Sequence, residues 1–211
     1  MTFVDRTDAG RQLAKELLRF SNKKSVLLYA LPRGGVVVAA EVAKALHLPF
    51  DVIVTRKIGS PHNEEYAIGA IAETGEAIWN EGERSLANPK ILQRTILLEK
   101  KEATRRIQTY RGGRPLPSFA GKTVILIDDG IATGLTIRAG IAAARHQHAA
   151  QIIIAVPHGA RDTIDALRKE VDDVITLTEP KIYGAVGAFY DSFPQTSDEE
   201  VCTLLQRYAS L

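Results

Sequence analysis

The sequence predicts an α/β protein built on a parallel sheet. Three observations carry this: β-branched apolar runs recur along the chain, amphipathic stretches of helical length separate most of them, and the central run 124–127 ends in paired acids followed by a Gly-and-Thr loop. Runs without polar alternation suit strands covered on both faces, as in parallel sheets. Parallel neighbours need a crossover of about a dozen residues or more, which the intervening stretches supply.

In chain order, strands are expected at 25–30, 51–58, 123–127, 151–156 and 173–178, each rich in Val, Ile or Leu. Crossover helices fit 35–46, 135–145 and 161–169. Between the second and third of these strands lies an insertion. In it, 66–73 and 76–80 around Thr74-Gly75 read as a hairpin. A long helix then starts at Asn88-Pro89, a cap followed by proline at the first helical position. Its stripe of Leu92, Ile96, Ala103, Ile107 and Tyr110 runs until Gly112-Gly113 stops it. Residues 114–118 form a proline-containing link, and Asp198-Glu199-Glu200 after Ser197 suit the first turn of a closing helix. There is no internal repeat.

Composition sets outer bounds. At 211 residues, 45% hydrophobic and 25% charged, the chain is ordinary globular material, and a single domain over 1–211 is expected. A net charge of +2 does not by itself argue for a nucleic-acid or membrane surface. No apolar run approaches the roughly 18 residues of a membrane span. The single Cys202 cannot form an internal disulfide, and a reducing cytoplasm fits best.

The chemistry concentrates in residues 124–136, reading VILIDDGIATGLT. Acids at the carboxyl end of a buried strand sit where ligands dock in open parallel sheets, so Asp128 and Asp129 are placed for chemistry. Ala132, Thr133, Gly134, Leu135 and Thr136 follow at a helix start. There backbone N–H groups, hydroxyls and the helix dipole favour an anion. Acids for sugar hydroxyls or a metal, beside a phosphate cradle, suggest a phosphorylated sugar.

This segment resembles the 5-phosphoribosyl-1-pyrophosphate (PRPP) motif of the type I phosphoribosyltransferases. Two departures are Gly130, where that family usually has an apolar residue, and Leu135, where many members have glycine. The resemblance implies the family's parallel-sheet fold with an inserted hairpin and flexible loop. It also implies a C-terminal hood over approximately 179–195, and transfer of the phosphoribosyl group from PRPP to a purine or pyrimidine base with release of pyrophosphate. Asp128 and Asp129 would grip the ribose hydroxyls directly or through metal-bound water, and Mg²⁺, the implied cofactor, would be held by them through water or substrate hydroxyls. A homodimer is implied as well.

By the same resemblance, Leu31-Pro32-Arg33-Gly34-Gly35 is the pyrophosphate loop, with a non-proline cis peptide between Pro32 and Arg33. Arg33, Gly34 and Lys57 would take the pyrophosphate, with Gly35 and Arg56 also binding substrate. Residues 59–65 would form a flap that closes over the sugar. In the hood, Tyr183, Phe189, Tyr190 and Phe193 either stack on a flat ring or serve as core. His158, at the end of the following strand, is a base contact or a turn residue. Oxopurine-specific relatives carry an acid at the position of Ala132 and a lysine on the next strand. This chain has neither, which argues against hypoxanthine or guanine.

Other motifs are set aside. Gly121-Lys122-Thr123 imitates the end of a P-loop, but Leu116 stands where its first glycine is required. His146 and His148, two apart, do not share a helix face. No Gly-x-Gly-x-x-Gly follows a strand, which disfavours a dinucleotide oxidoreductase. The basic stretch 84–114 reads as a solvated helix face rather than a nucleic-acid site. A PRPP-sensing regulator that binds nucleic acid, through cations such as Arg94, Lys101, Arg105 and Arg106, is the alternative.

Overall fold

The central sheet has five parallel strands in the order β2-β1-β6-β7-β8. They are β1 (Val26–Ala30), β2 (Phe50–Val52), β6 (Thr123–Ile127), β7 (Gln151–His158) and β8 (Asp173–Thr178). The computed structural model describes residues 2–60 and 63–208, the side chains of 63–66 excepted. Around the sheet stand α1 (Arg6–Glu16), α2 (Gly34–Leu46), α4 (Pro89–Arg111), α5 (Leu135–His146), α6 (Arg161–Leu167) and α7 (Asp198–Tyr208).

Both faces of the sheet are apolar because both are covered. Leu28, Ala30, Ile125, Ile127, Ile153 and Ala155 face one core cluster with residues of α1, α2 and α7. Tyr29, Val124, Leu126, Ile152, Ile154 and Val156 face the other, with residues of α5 and α6. Alternate residues of a strand point to opposite faces, so an uninterrupted apolar run serves both.

A second, antiparallel sheet, β3-β4-β5, stands apart: β3 (Thr55–Ser60), β4 (Asn63–Ala72) and β5 (Ala77–Trp79). The expected single strand 51–58 is therefore divided. Ile53 N–H still donates to the Ala30 carbonyl (3.0 Å), but Val54 exchanges partners with Glu73. Its N–H donates to Glu73 Oε1 at 2.7 Å, and its carbonyl accepts the Glu73 N–H at 2.9 Å. An apolar run does not reveal where its ladder partner changes. The region read as a flap is likewise corrected in part: Gly59 and Ser60 end β3, and 63–65 begin β4. Pro61 and His62 lie outside the described residues.

Helix ends follow their capping residues. The Asn88 side chain accepts the N–H groups of Lys90 and Ile91, Pro89 opens α4, and Gly112 closes it at φ 60°. Two α-helices among the described residues escaped the sequence reading, α1 and the short α3 (Glu81–Leu86). Asp5 caps α1 by accepting the Asp8 N–H at 2.7 Å, and Ala9, Leu13 and Leu17 give it an apolar face at helical spacing. β7 runs two residues past the expected end. Pro157 is tolerated there because the β6 ladder stops at Ala155.

Candidate active site

Four segments converge at the carboxyl edge of the sheet on one pocket of about 200 Å³. β6 ends in Asp128 and Asp129, and the loop after it carries Gly130, Ile131, Ala132, Thr133 and Gly134, with Thr136 and Ile137 following on α5. The turn after β1 brings Pro32, Arg33 and Gly34, and β3 brings Lys57. Val186, from the C-terminal segment, completes the lining.

The loop is held open from behind. Thr163 Oγ1 donates to the Ala132 carbonyl (2.7 Å), and Arg138 Nη1 donates to the Thr133 carbonyl (3.2 Å). Gly134 sits at φ 77°, a left-handed conformation that glycine adopts freely, at the N-cap of α5. No side chain caps this helix, which leaves its first N–H groups for an anion.

The acids are not equivalent. Asp128 Oδ1 accepts the Asp129 N–H at 2.9 Å. Burial, then the Asp129 charge beside it, pushes the Asp128 carboxyl well above the usual carboxylate range, against the pull of Lys57. Asp129 has its own cation: Arg6 of α1 donates Nε to Oδ2 at 2.7 Å. Two carboxylates suit a hard cation only if substrate oxygens and water complete its shell. Among the described residues, no group of three or more His, Cys, Asp or Glu could hold a metal unaided.

In the turn after β1 the Pro32–Arg33 peptide is cis. Arg33 Nη1 lies 3.9 Å from Asp198 Oδ1 at the start of α7, and that carboxylate also accepts from Tyr110 Oη (2.5 Å) and Arg105 Nη2 (2.8 Å). Although burial raises it, these donors hold Asp198 below the usual range. Asp198, expected only as dipole compensation, thus also places a carboxylate beside Arg33.

Several expected site residues face elsewhere. Arg56 pairs with Glu99 of α4 at 2.7 Å, because neighbours on a strand point to opposite faces and Lys57 takes the pocket side. Gly35 is packed behind the wall, against Ile127 and Asp128, and the Leu135 side chain belongs to the core. His158 is fully buried under the C-terminal segment rather than lining the pocket. Its ring lies 4.6 Å from that of Phe189, its Nδ1 is 2.8 Å from Tyr183 Oη, and Nε2 has no hydrogen-bond partner among the described residues. Burial lowers its pKa to about 4, so it is neutral at pH 7. Tyr183 stacks on Phe189 at 4.9 Å and Tyr190 on Phe193 at 5.0 Å, so these rings satisfy one another instead of the pocket. Sequence reasoning missed Arg6 altogether.

A larger cavity of about 340 Å³ lies at the β2 edge, lined by Asp51, Tyr110 and Arg114 among apolar residues. It has neither a glycine loop nor an acid pair.

Fold and site together define an open α/β protein with an uncapped helix start and paired acids at the carboxyl edge of its sheet. The chain belongs to the phosphoribosyl transferase domain family, whose model matches residues 5–192. It is 42% identical over 210 residues to provisionally named phosphoribosyl transferases of Mycobacterium tuberculosis, covering 97% of this chain but 46% of theirs. The chain thus spans about half the length of these relatives. The crystal structure of TT1426 from Thermus thermophilus is similar over 99% of both chains, at 34% identity and a TM-score of 0.78. AQ2163 from Aquifex aeolicus shares the fold at 10% identity, with a TM-score of 0.55 over 86% of this chain and 78% of that one.

Proposed function

We propose that the protein transfers the 5-phosphoribosyl group from PRPP to a nitrogenous base, releasing pyrophosphate, in a Mg²⁺-dependent reaction. One observation carries the reading: an acid pair, an uncapped helix start and two cations from separate segments line a single pocket. The N–H groups and hydroxyls of Ala132 to Thr136 bind the 5′-phosphate. Arg33, the Gly34 backbone and Lys57 bind the pyrophosphate and hold its growing charge as it leaves. Asp128 and Asp129 grip the ribose hydroxyls and orient the sugar for attack by a ring nitrogen. The same two carboxylates would hold Mg²⁺, which when bound supplies positive charge beside the pyrophosphate oxygens. A cation arriving with substrate also offsets the repulsion between two adjacent acids.

The acceptor is a purine or pyrimidine base. Ala132 offers no proton to an oxopurine ring, and neutral His158 reaches a base only if the C-terminal aromatics shift. One domain over the whole chain, a homodimer and a cytoplasmic setting complete the proposal. No described helix is long and apolar enough to cross a membrane.

The alternative, a PRPP-sensing regulator that binds nucleic acid, needs a free basic face. Of the four cations weighed for it, Arg105 is tied to Glu102 and Asp198, and Arg106 to Glu102. The test is incubation with PRPP, Mg²⁺ and a panel of bases, measuring pyrophosphate release. Turnover with one base supports the transferase, and PRPP binding without release on any base supports the sensor. Asp128→Asn with Asp129→Asn abolishes PRPP binding; unchanged binding refutes the role of both acids.

A further inference from the structure

Arg6 is the first residue of α1, yet its guanidinium ends behind the pocket residue Asp129, on three partners. Nε donates to Asp129 Oδ2 at 2.7 Å, Nη1 donates to the Pro194 carbonyl at 2.7 Å, and Cζ lies 3.7 Å from the centroid of Phe193. The residue is only 8% exposed. A buried arginine is costly unless paired in good geometry, and here a carboxylate, a carbonyl and an aromatic face each take part of the fork.

The C-terminal segment grips the same acid from its other side. Tyr190 Oη donates to the Asp129 carbonyl at 2.5 Å, and Phe193 stacks on Tyr190. Backbone bonds join this segment to the residues just before α1: Phe3 N–H to Phe189 O (2.8 Å), Asp191 N–H to Phe3 O (2.8 Å) and Ser192 N–H to Val4 O (2.9 Å). Gly34 closes the third side, where a Cβ would come 2.8 Å from Arg6 Nε. Asp129 is therefore held by side chain and main chain through one unit made of both ends of the chain.

A charge-assisted bond to one carboxylate oxygen fixes the plane of the group and so aims the other. Resting on the phosphoribosyl reading above, we propose that Arg6 is a positioning residue for ribose recognition. It sets the orientation of the Asp129 carboxylate and couples that orientation to the order of residues 186–193. By reciprocity, sugar binding tightens this segment as much as the segment favours sugar binding.

The experiment measures binding of PRPP with Mg²⁺ by calorimetry, and amide hydrogen exchange of residues 186–193, for the parent protein, Arg6→Gln and Arg6→Lys. Arg6→Gln is expected to weaken PRPP binding roughly tenfold or more and to speed exchange in 186–193. Lysine keeps a charge for Asp129 but has neither the fork for Pro194 nor the flat face for Phe193. Arg6→Lys therefore restores most of the affinity while exchange stays fast, a separation that a purely structural role does not produce.

Parent-like PRPP affinity in folded Arg6→Gln overturns the proposal, whatever its melting temperature. If Arg6→Gln does not fold, Phe193→Leu serves, since it leaves the Arg6–Asp129 pair in place. Faster exchange with two- to threefold weaker PRPP binding is then expected, about the effect of one lost aromatic contact, and unchanged affinity refutes the coupling. If the parent protein binds no PRPP, the phosphoribosyl reading and the ribose role of Arg6 fall together. Exchange in Arg6→Gln then decides separately whether Arg6 orders the segment.

Discussion

Gly34 leaves open the space that the Asp129 carboxylate fills: a Cβ built on Gly34 would fall inside the envelope of Oδ2 and 2.7 Å from Cγ. The glycine is required by closeness, since its φ is not in the left-handed region. Gly34→Ala must push the turn back or turn the acid aside. PRPP affinity measured by calorimetry is expected to drop at least roughly tenfold, with an unchanged far-ultraviolet spectrum, because small displacements of binding groups are expensive.

His158 makes stability depend on pH. Its ring is neutral in the folded protein down to about pH 4, whereas in the unfolded chain it titrates near its ordinary 6.5. Between those values the unfolded state binds more protons, so stability rises with pH, is complete above 6.5 and is lost as pH falls toward 4. The span corresponds to about 3 kcal/mol at most. Urea unfolding from pH 4 to 7 should show this slope in the parent protein and a flatter one in His158→Gln.

Arg111 and Glu73 form a salt bridge between the end of α4 and the end of β4, with side chains 2% and 4% exposed. Burial raises the Glu73 pKa, and the neighbouring guanidinium opposes the rise. Arg111 Nε and Nη1 have no hydrogen-bond partner among the described residues. Glu73→Gln, which strands a buried cation, should cost about 3–5 kcal/mol in denaturant unfolding, and adding Arg111→Met should recover much of it.

Lys57 and Arg56 test the two faces of one strand. Lys57→Met should lower kcat/KM for pyrophosphate release by about 10²-fold, the usual cost of losing one charge-stabilising group. Its melting temperature should barely move, because the side chain is exposed. Arg56→Met, which among the described residues frees Glu99, should leave kcat/KM within about threefold of the parent, as a partly exposed pair contributes little.

Residues 124–136 were legible because strand, acid tip, loop and helix are contiguous, and each has a local signature. The long helix was legible for the same reason, through Asn88, Pro89 and Gly112. Arg6 was not, because its partner Asp129 lies 123 positions away and nothing at Arg6 signals it. Asp5 and the Ala9, Leu13, Leu17 spacing could have announced α1, but not where its first side chain points. The split of 51–58 was hidden because Ile53 and Val54 look alike to any periodicity while bonding to different sheets. His158 was placed correctly at a strand end, but its burial depends on aromatics some 25 to 32 positions later, beyond the reach of local pattern.

The two sheets share no ladder, and the pocket draws Lys57 from one and Asp128 from the other. An anion seated there would add a tie between two sheets that already share the core around Tyr29, Ala70, Ala72 and Leu126. Occupancy would then be felt beyond the pocket, as slower amide exchange along the β3–β4 ribbon as well as at the tip of β6.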